Sequence, residues 1–279
     1  MKTEKNYRKC KMIKRTLICL AFTASIITGC EKIPGKTEPI PLYKRLLDPN
    51  FAIPDYASNA IKATGGSRAW AEATKLDFNC VVTFYRTDGG FYLTEHHYEI
   101  YPYKNSIRIT AQEPLGKFVW QLSGDRFNMP EGDKQNDVSP AAGLYRDFAE
   151  TVLGIITAPI DFLDDNYTFT KLQGTVEREG LLYQTIKRIN QPSGKTVSRK
   201  ARPTTPPYWS GVIYYQNIET SIADTILFTN SDADKYFVVR GYNYTEVDKK
   251  GIRVPTKIEI FITDLRGTSQ QLLAEINFK

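Results

Sequence analysis

Residues 76–103 read LDFNCVVTFYRTDGGFYLTEHHYEIYPY, and this stretch decides the class of fold. Two runs rich in Val, Thr, Tyr and Phe flank the tetrapeptide Thr87-Asp88-Gly89-Gly90. β-branched and aromatic residues favour extended strands, and an Asp-Gly pair supplies the positive φ angles that a tight hairpin turn requires. The stretch therefore predicts two antiparallel strands, at 76–86 and 91–103, joined by a short turn.

Strand patterns of the same kind continue on both sides of one helical segment. Strands at 106–112 and 117–123 complete a four-strand meander with the hairpin. Seven more predicted strands follow the helix, at 167–177, 182–190, 211–217, 225–230, 236–244, 252–263 and 272–278. Because short turns join most neighbours, the strands are expected to pair antiparallel. The sequence thus predicts a mainly β fold of about eleven strands.

Two helical segments are predicted outside the strands. The first begins at Ser58, and Gly65-Gly66 interrupts it because glycine disfavours helix. The second spans 140–158, with Ser139 as its N-cap and Pro159 expected to end it. Its apolar residues recur at spacings of three and four: Ala141, Leu144, Tyr145, Phe148, Ala149, Val152, Leu153 and Ile156. This wide stripe needs an apolar surface, and only a face of the sheet offers one.

Large side chains occur on both faces of several strands, for example in Val81-Val82-Thr83-Phe84-Tyr85 and Phe237-Val238-Val239. A strongly curved sheet with a helix over its concave face uses both sets, one as lining and one as outer cover. The polar segment 129–140 is predicted to be a loop that, with the helix, acts as a lid. The candidate lining residues are Val82, Phe84, Tyr98, Ile100, Trp120, Leu144 and Phe148.

The first thirty residues are organised like the signal peptide of a bacterial lipoprotein. A basic stretch ends at Arg15, an apolar stretch covers 16–27, and Ile27-Thr28-Gly29-Cys30 resembles a lipobox. The apolar stretch is too short for a membrane span, which needs about 20 residues. We therefore expect cleavage before Cys30 and attachment of acyl chains such as palmitate to its thiol. The alternative is an ordinary secretory signal in which Cys30 has no special role.

Composition and charge limit the partners of the mature chain. With 41% apolar and 24% charged residues, the chain can bury a core and is not disordered. The leader accounts for the net charge of +6, since residues 30–279 carry thirty positive and thirty negative side chains. Nucleic-acid binding requires a surplus of Lys and Arg, so nucleic acid is excluded as a partner.

Domain organisation and location follow from these patterns. We predict a signal peptide at 1–29, a proline-rich, lipid-anchored tether at 30–55 and one folded domain at 56–279. The expected partner is the membrane, through lipidated Cys30. The expected location is the cell envelope, with the domain in the periplasm and the outer membrane favoured over the inner. The sequence leaves the oligomeric state open.

Cysteine and histidine are too few for the usual metal and catalytic sites. Cys80 is the one thiol left after processing, so no intrachain disulfide is expected, and it is predicted to be buried filler. His96 and His97 are neighbours in a strand and face opposite ways, so one metal ion cannot bind both. We expect one to be exposed and the other packed, with no metal and no cofactor.

Catalytic motifs are also missing from the sequence. It contains no Gly-x-Ser-x-Gly elbow, phosphate loop or dinucleotide fingerprint. Asp164-Asp165, Asp232 and Asp234 lie among Asn, Ser and Thr, which is typical of turns more than of a glycosidase pair. The prediction is a protein that is not an enzyme. A hydrolase that uses His96 or His97 as its base is a weaker alternative.

The order of elements resembles the superfamily of lipoprotein carriers that includes LolA and LolB. The matching pieces are the helix at Thr64-Gly65-Gly66-Ser67-Arg68-Ala69-Trp70, the meander 76–123, the helix 140–158 and the strand 254–260, and the resemblance covers most of 58–278. It implies an open half-barrel of about eleven antiparallel strands with helices over an apolar cavity. It also implies non-catalytic binding or transport of a lipid or lipoprotein.

Two functions from different classes remain after this reasoning. The first is a membrane-anchored carrier that holds a lipid or an acyl chain in an apolar cavity. The alternative is an envelope module with a packed sheet and no ligand, which binds a protein or polysaccharide through Tyr208, Trp209, Tyr214 and Tyr215. A cavity that can take an acyl chain distinguishes the two.

Overall fold

The computed structural model describes residues 40–113, 116–124, 126–131, 142–190, 209–230, 235–247, 251–264 and 270–279. The predicted signal peptide, Cys30 and the start of the predicted tether lie outside the described residues. The described residues belong to one compact unit, Ile40–Lys279. None of the helices in this part of the chain is both long enough and apolar enough to span a bilayer.

One curved, unclosed antiparallel sheet of twelve strands forms the body of the domain. The first meander contains β1 (Leu76–Tyr85), β2 (Phe91–Tyr101), β3 (Ser106–Glu113), β4 (Gly116–Ser123) and β5 (Arg126–Glu131). The second contains β6 (Tyr167–Arg178), β7 (Leu181–Asn190), β8 (Gly211–Asn217), β9 (Ala223–Asn230), β10 (Lys235–Val247), β11 (Ile252–Thr263) and β12 (Gln270–Phe278). The pair β1–β12 joins the two meanders, and β5 and β6 are the edges. The predicted antiparallel half-barrel is confirmed.

The strand that the sequence analysis misses is β5. The prediction of a loop from residue 129 is wrong for 129–131, which end this strand, whereas 132–140 lie outside the described residues. β5 is an edge strand that pairs only with β4, and the register shifts between Val119 and Gln121. Phe127 and Met129 pack against the main core, but the alternation covers only four residues before Pro130, which is too short to predict a strand from the sequence.

Four α-helices accompany the sheet in the described residues: α1 (Leu42–Arg45), α2 (Asp55–Ala63), α3 (Gly66–Glu72) and α4 (Ala142–Asp161). The predicted interruption at Gly65-Gly66 is confirmed, since it separates α2 from α3. Gly65 has φ 125°, and a Cβ there would lie 2.3 Å from the carbonyl oxygen of Gly251. Only glycine fits this turn, where the helices pass the start of β11.

The helix α4 continues beyond the proline that was expected to end it. Pro159 lies inside α4, which ends at Asp161, so that prediction is wrong. A proline near a helix end removes few backbone hydrogen bonds. Ile160, Phe162 and Leu163 are buried just beyond it, and their packing supports the last turn. The predicted start of the helix, at Pro140, lies outside the described residues.

The position of α4 follows from the strand order. β5 precedes it in the chain and β6 follows it, so α4 connects the two free edges of the open sheet. It packs against β3, β4, β9, β10 and β11. Tyr145, Phe148, Val152 and Ile156 of its apolar stripe are buried in the main core. The predicted helix over the concave face is confirmed.

The outer face of the sheet carries a smaller apolar cluster of its own, formed by Tyr183, Tyr215, Leu227 and Val238. The tip of the β6–β7 hairpin covers part of it. The Arg178 guanidinium donates to the Tyr215 hydroxyl at 2.9 Å, and Arg240 pairs with Glu179 at 2.6 Å. Phe237 and Val239 lie in the main core while Val238 lies outside, so bulk on both faces is confirmed here.

The described part of the predicted tether contacts the domain. Leu46, directly after α1, is buried, and the guanidinium of Arg45 pairs with the carboxylate of Asp165. Tyr43 packs edge-on against Tyr103 at 5.7 Å between ring centroids. Residues 40–54 therefore lie against the start of the second meander and the end of the first hairpin. The boundary of the tether stays a prediction.

Candidate functional site

An apolar cavity of about 140 Å³ lies beneath the N-terminal half of α4. Its walls come from β1, β2, α4 and β12, and the lining residues are Phe84, Tyr85, Arg86, Tyr92, Leu144, Tyr145, Phe148 and Leu273. The ring of Phe84 stacks on Tyr92 at 5.2 Å and packs against Phe148 at 5.3 Å. We name this site the apolar cavity.

Strand alternation and one β-bulge shape the apolar cavity. Phe84 faces the concave side because it alternates with outward residues along β1. In β12, Ala274 pairs with Ile260 and Leu272 pairs with Phe261, which leaves Leu273 without a partner in β11. A bulge re-aims the extra residue, and here Leu273 lines the cavity. The sequence gives no signal for this bulge.

The structure separates the seven predicted lining residues into two groups. Three of them face the apolar cavity: Phe84, Leu144 and Phe148. The other four are fully buried in the packed core: Val82, Tyr98, Ile100 and Trp120. For all seven residues, a role in ligand binding stays a prediction.

A second, smaller cavity of about 60 Å³ lies beneath the C-terminal half of α4. It is lined by Asn105, Leu122, Gly124, Glu150, Leu153, Gly154, Asp161, Tyr167, Arg188, Trp209, Tyr214 and Phe228. These residues come from α4 and from both halves of the sheet, so the cavity lies on the open side of the half-barrel between its edges. We name it the seam cavity.

Charged groups distinguish the seam cavity from the apolar cavity. The Arg188 guanidinium packs over the ring of Tyr167 at 4.3 Å, and the Tyr214 hydroxyl donates to Asp161 Oδ2 at 3.5 Å. Arg146 Nε donates to Glu150 Oε1 at 2.9 Å. Burial raises the pKa of Glu150 to about 7 and that of Asp161 to about 6. Desolvation disfavours the charged carboxylates, which explains both shifts.

Sequence reasoning missed the seam cavity because its charged residues are scattered. Glu150 and Asp161 flank the apolar stripe of α4 and match the polar face of any amphipathic helix. Arg188 lies near the end of an edge-side strand, where a solvated side chain is the usual expectation. Only the crossing of α4 from edge to edge brings them together.

The two histidines face opposite sides of the sheet, as predicted. His96 is buried on the concave side, with Nε2 2.7 Å from Thr94 Oγ1 and Nδ1 3.2 Å from the Tyr98 hydroxyl. His97 is partly exposed on the outer side, and its Nε2 lies 2.9 Å from a carboxylate oxygen of Asp77. His96 is therefore held by packing and hydrogen bonds.

A polar cluster of Asp77, His97 and Glu99 on the outer face has the donor types of a metal site, with ligand atoms within 4.8 Å of one another. The sequence analysis missed it because it considered only sets of His and Cys. β1–β2 pairing places Asp77 opposite Glu99. Lys75 Nζ lies 2.6 Å from each of these carboxylates, so an ammonium group already compensates their charge.

The remaining candidate residues have structural roles. Cys80 is buried, as predicted, and burial raises its pKa to about 12, which leaves it unreactive. Asp164 accepts a hydrogen bond from the backbone N–H of Asn166 at 2.9 Å, so its turn role is confirmed. Asp232 and Asp234 lie outside the described residues.

The surface proposed for the interaction module is not formed by the aromatic residues that the sequence suggested. Trp209, Tyr214 and Tyr215 are 3%, 1% and 6% exposed, so the prediction is wrong for these three. Trp209 and Tyr214 belong to the main core, and Tyr215 belongs to the outer cluster. Adjacent strand residues face opposite ways, and both faces are covered here. Tyr208 lies outside the described residues.

Comparison with known proteins gives matches of structure only. No protein-family model and no curated protein matches this sequence. The chain is similar to a LolA superfamily protein from Nitrosomonas europaea, with TM-score 0.47, 12% identity and coverage of 80% of this chain and 90% of that one. It is also similar to a DUF1329 family protein from Desulfovibrio piger, with TM-score 0.43, 11% identity and coverage of 86% and 91%.

A third similar structure is an outer membrane lipoprotein-sorting protein domain from Vibrio parahaemolyticus, with TM-score 0.43, 10% identity and coverage of 80% and 88%. At such low identities the similarity concerns the fold alone. The superfamily that the sequence resembles is among these structures. The half-barrel itself is established by the strand order of this chain.

Proposed function

We propose that this chain binds or carries a lipid acyl chain in the apolar cavity beneath α4, without catalysis, while lipid on Cys30 holds it at an envelope membrane. The apolar cavity is the single observation that carries the proposal. Its walls are aromatic and aliphatic except for Arg86, and it lies under the helix that bridges the open side of the half-barrel. Burial of an acyl chain there contributes about 25 cal/mol per Å² of apolar area.

The size of the cavity implies that α4 moves when a long chain binds. A volume of about 140 Å³ is close to the roughly 150 Å³ that holds one benzene molecule. Pockets for larger ligands measure about 300–1,000 Å³. The described structure is therefore a closed form that accepts the end of an acyl chain. α4 pairs with no strand, so it can shift outward without breaking the sheet.

Native mass spectrometry with lipid extraction tests the proposal. For this test, residues 31–279, which contain the whole compact unit, are produced in the periplasm behind a cleavable signal and without Cys30. We expect a stoichiometric bound lipid in the wild type and its loss in Phe148→Asp. Phe91→Asp is the matched control, since Phe91 is 62% exposed and the chemical change is identical.

A second variant covers the case in which Phe148→Asp fails to fold. Leu144→Trp adds volume at the half-buried wall of the apolar cavity, so it should block the lipid while keeping a cooperative unfolding transition. A wild-type protein that carries no lipid and also takes up no fluorescent fatty acid would overturn the proposal. That result would favour the interaction module.

The proposed anchor has its own test. We expect the mature full-length chain to carry two or three acyl chains on Cys30, to fractionate with the outer membrane and to face the periplasm. Cys30→Ala should abolish incorporation of a palmitate analogue and leave the chain unprocessed. Incorporation that persists in Cys30→Ala would show that the lipid is attached elsewhere, and a wild type without incorporation would show that the chain is not lipidated.

A further inference from the structure

Arg188 lines the seam cavity together with two carboxylates, but it forms an ion pair with neither of them. Its guanidinium packs on the ring of Tyr167, and no carboxylate of the described residues forms an ion pair with it. Asp161 and Glu150 line the same cavity, and Glu150 is already paired with Arg146. A guanidinium has five N–H donors. The Tyr214 hydroxyl is one acceptor for these donors, and the space beside Arg188 suits a further acceptor oxygen.

The size and the walls of the seam cavity limit what that oxygen belongs to. A volume of about 60 Å³ corresponds to about two water molecules at roughly 30 Å³ each. This is room for a few heavy atoms, such as an ester group. Leu122, Leu153 and Phe228 form an apolar wall opposite the charged groups. The cavity therefore fits the junction between a polar group and a hydrocarbon chain.

The charge balance in the seam cavity favours an uncharged acceptor. At pH 8 both carboxyls are ionised, because burial raises their pKa values only to about 7 and about 6. These two carboxylates already match the charges of Arg188 and Arg146, and Asp147 and Asp164 act on them as further negative charges. An added carboxylate or phosphate would increase the excess of negative charge in a poorly solvated site, which is costly. An ester carbonyl accepts from Arg188 without adding charge.

The two cavities lie one after the other under a single helix. From Phe148 to Gly154 the axial distance along α4 is about 9 Å at 1.5 Å per residue. Ala149, Val152 and Leu153, between them, are buried in the main core. When α4 shifts outward, an apolar path therefore opens from the seam cavity to the apolar cavity.

We infer that the seam cavity is the polar subsite of the carried lipid and selects an uncharged acyl ester over a free fatty acid. Arg188 donates to the ester carbonyl oxygen, Asp161 disfavours a carboxylate, and the acyl chain extends to the apolar cavity. The inference rests on the proposed function, since it concerns the other end of the same ligand.

Binding of two probes with the same chain tests the inference. Glycerol monolaurate and laurate are titrated into residues 31–279 at pH 8, and displacement of a fluorescent acyl probe reports affinity. We expect the wild type to bind the ester at least tenfold more tightly. Arg188→Gln should weaken ester binding about tenfold. Asp161→Asn should strengthen laurate binding about tenfold and leave ester binding within twofold, a gain that misfolding does not produce.

Arg178→Gln is the matched control for Arg188→Gln. Arg178 packs on the ring of Tyr215 at 4.2 Å, which is the same geometry on the outer face of the sheet. The Arg178→Gln variant should keep its affinities for glycerol monolaurate and for laurate within twofold of the wild type. Equal wild-type affinities for the two probes, or equal effects of the two arginine variants, would overturn the inference while the proposed function stands. Binding of neither probe would overturn the proposed function as well.

Discussion

The two halves of α4 cover different environments, although they belong to one helix over one sheet. The N-terminal half closes the apolar cavity, where Phe84, Tyr92 and Phe148 pack ring against ring. The C-terminal half closes the seam cavity, where Arg188 and Asp161 are found. Apolar contacts supply affinity with little direction, whereas charged groups fix orientation and discriminate between ligands. If α4 is the lid of the proposed lipid site, its N-terminal half supplies binding strength and its C-terminal half supplies selectivity.

Strand order explains the difference between the halves. The apolar cavity is built on β1, β2 and β12, in the middle of the sheet, where each strand has a neighbour on both sides. The seam cavity takes its lining from both halves of the sheet, but Tyr167, Arg188 and Tyr214 come from β6, β7 and β8, which lead to a free edge. Strands near an edge meet water and carry more polar side chains. α4 covers those side chains only because it must reach β6.

The largest expected effect of a single substitution is loss of stability at the apolar cavity. Phe148→Ala removes a fully buried ring that contacts Phe84 and should lower the free energy of unfolding by about 3–5 kcal/mol. Tyr214→Phe, at the seam cavity, removes one hydroxyl that donates to Asp161 and should cost only about 1 kcal/mol. Urea denaturation followed by circular dichroism measures both.

The control for this pair of variants is Leu93→Ala. Leu93 is 58% exposed, so its truncation should change stability by less than about 0.5 kcal/mol. Equal losses from Phe148→Ala and Tyr214→Phe would contradict the comparison, because the apolar cavity would then contribute no more packing than the seam cavity.

The next effect is a pH dependence that arises at the seam cavity. The folded-state pKa values of Glu150 and Asp161, about 7 and about 6, lie above their ordinary values because of burial. The fold therefore binds protons more tightly than the unfolded chain. Stability is highest below about pH 4 as far as these groups are concerned, and it falls as pH rises to about 7. Each pKa is raised by about two pH units, and one unit corresponds to about 1.4 kcal/mol, so we expect a total fall of about 6 kcal/mol, measured by urea denaturation from pH 4 to 8.

Neutral variants identify the source of this slope. The double variant Glu150→Gln with Asp161→Asn should remove most of the decline and leave the part that Asp224 contributes, since burial raises the pKa of Asp224 to about 6 as well. Glu219→Gln, which removes an exposed carboxylate that lines neither cavity, should keep the wild-type slope. A slope as steep in the double variant as in the wild type would place the responsible groups outside the seam cavity.

Much of this fold follows from local sequence patterns. The β1–β2 hairpin forms where strand residues flank Thr87-Asp88-Gly89-Gly90, and α4 forms where apolar residues recur at three and four. Phe84, Leu144 and Phe148 could be assigned to the lining because alternation and helical spacing determine the face of each. These features depend on residues close in sequence, and for that reason they were predictable.

The features that the sequence does not reveal depend on details of strand pairing and on the order of strands in the whole sheet. β5 forms by pairing with β4, and Leu273 enters the apolar cavity because β12 has one residue more than β11 requires. Arg188 belongs to a correctly predicted strand, yet its position beneath α4 follows from the order of all twelve strands. Local patterns cannot specify which edge a lid reaches, so the charged half of the site was missed.

A smaller effect is expected where α4 approaches the sheet most closely. A Cβ at Gly154 would lie 2.8 Å from Phe228 Cζ, and the Phe228 ring is itself packed against Trp209. Overpacking costs about 1–3 kcal/mol, whereas alanine gains up to about 1 kcal/mol over glycine in a helix. Gly154→Ala should therefore lower the free energy of unfolding by about 1 kcal/mol.

The control for Gly154→Ala is the same substitution in a chain in which Phe228 is replaced by the smaller leucine. In a Phe228→Leu background the close contact is relieved, so alanine should become stabilising by up to about 1 kcal/mol. The four proteins form a double-mutant cycle in urea denaturation. A cycle with no coupling between the two positions would show that Phe228 does not limit the approach of α4.

The last effect is a labelling rate that shows whether the two halves of α4 open separately. Cys80 is the one cysteine of residues 31–279, and it shares the concave face of β1 with Phe84. Burial raises its pKa to about 12, so at pH 8 roughly one thiol in ten thousand is ionised in the closed form. A thiol reagent therefore reacts mainly after opening.

If the halves of α4 open separately, Phe148→Ala should speed labelling by more than its lost stability predicts, and Gly154→Ala should change the rate less than threefold. If both variants speed labelling only in proportion to lost stability, α4 opens as one unit, and the two cavities fill and empty together.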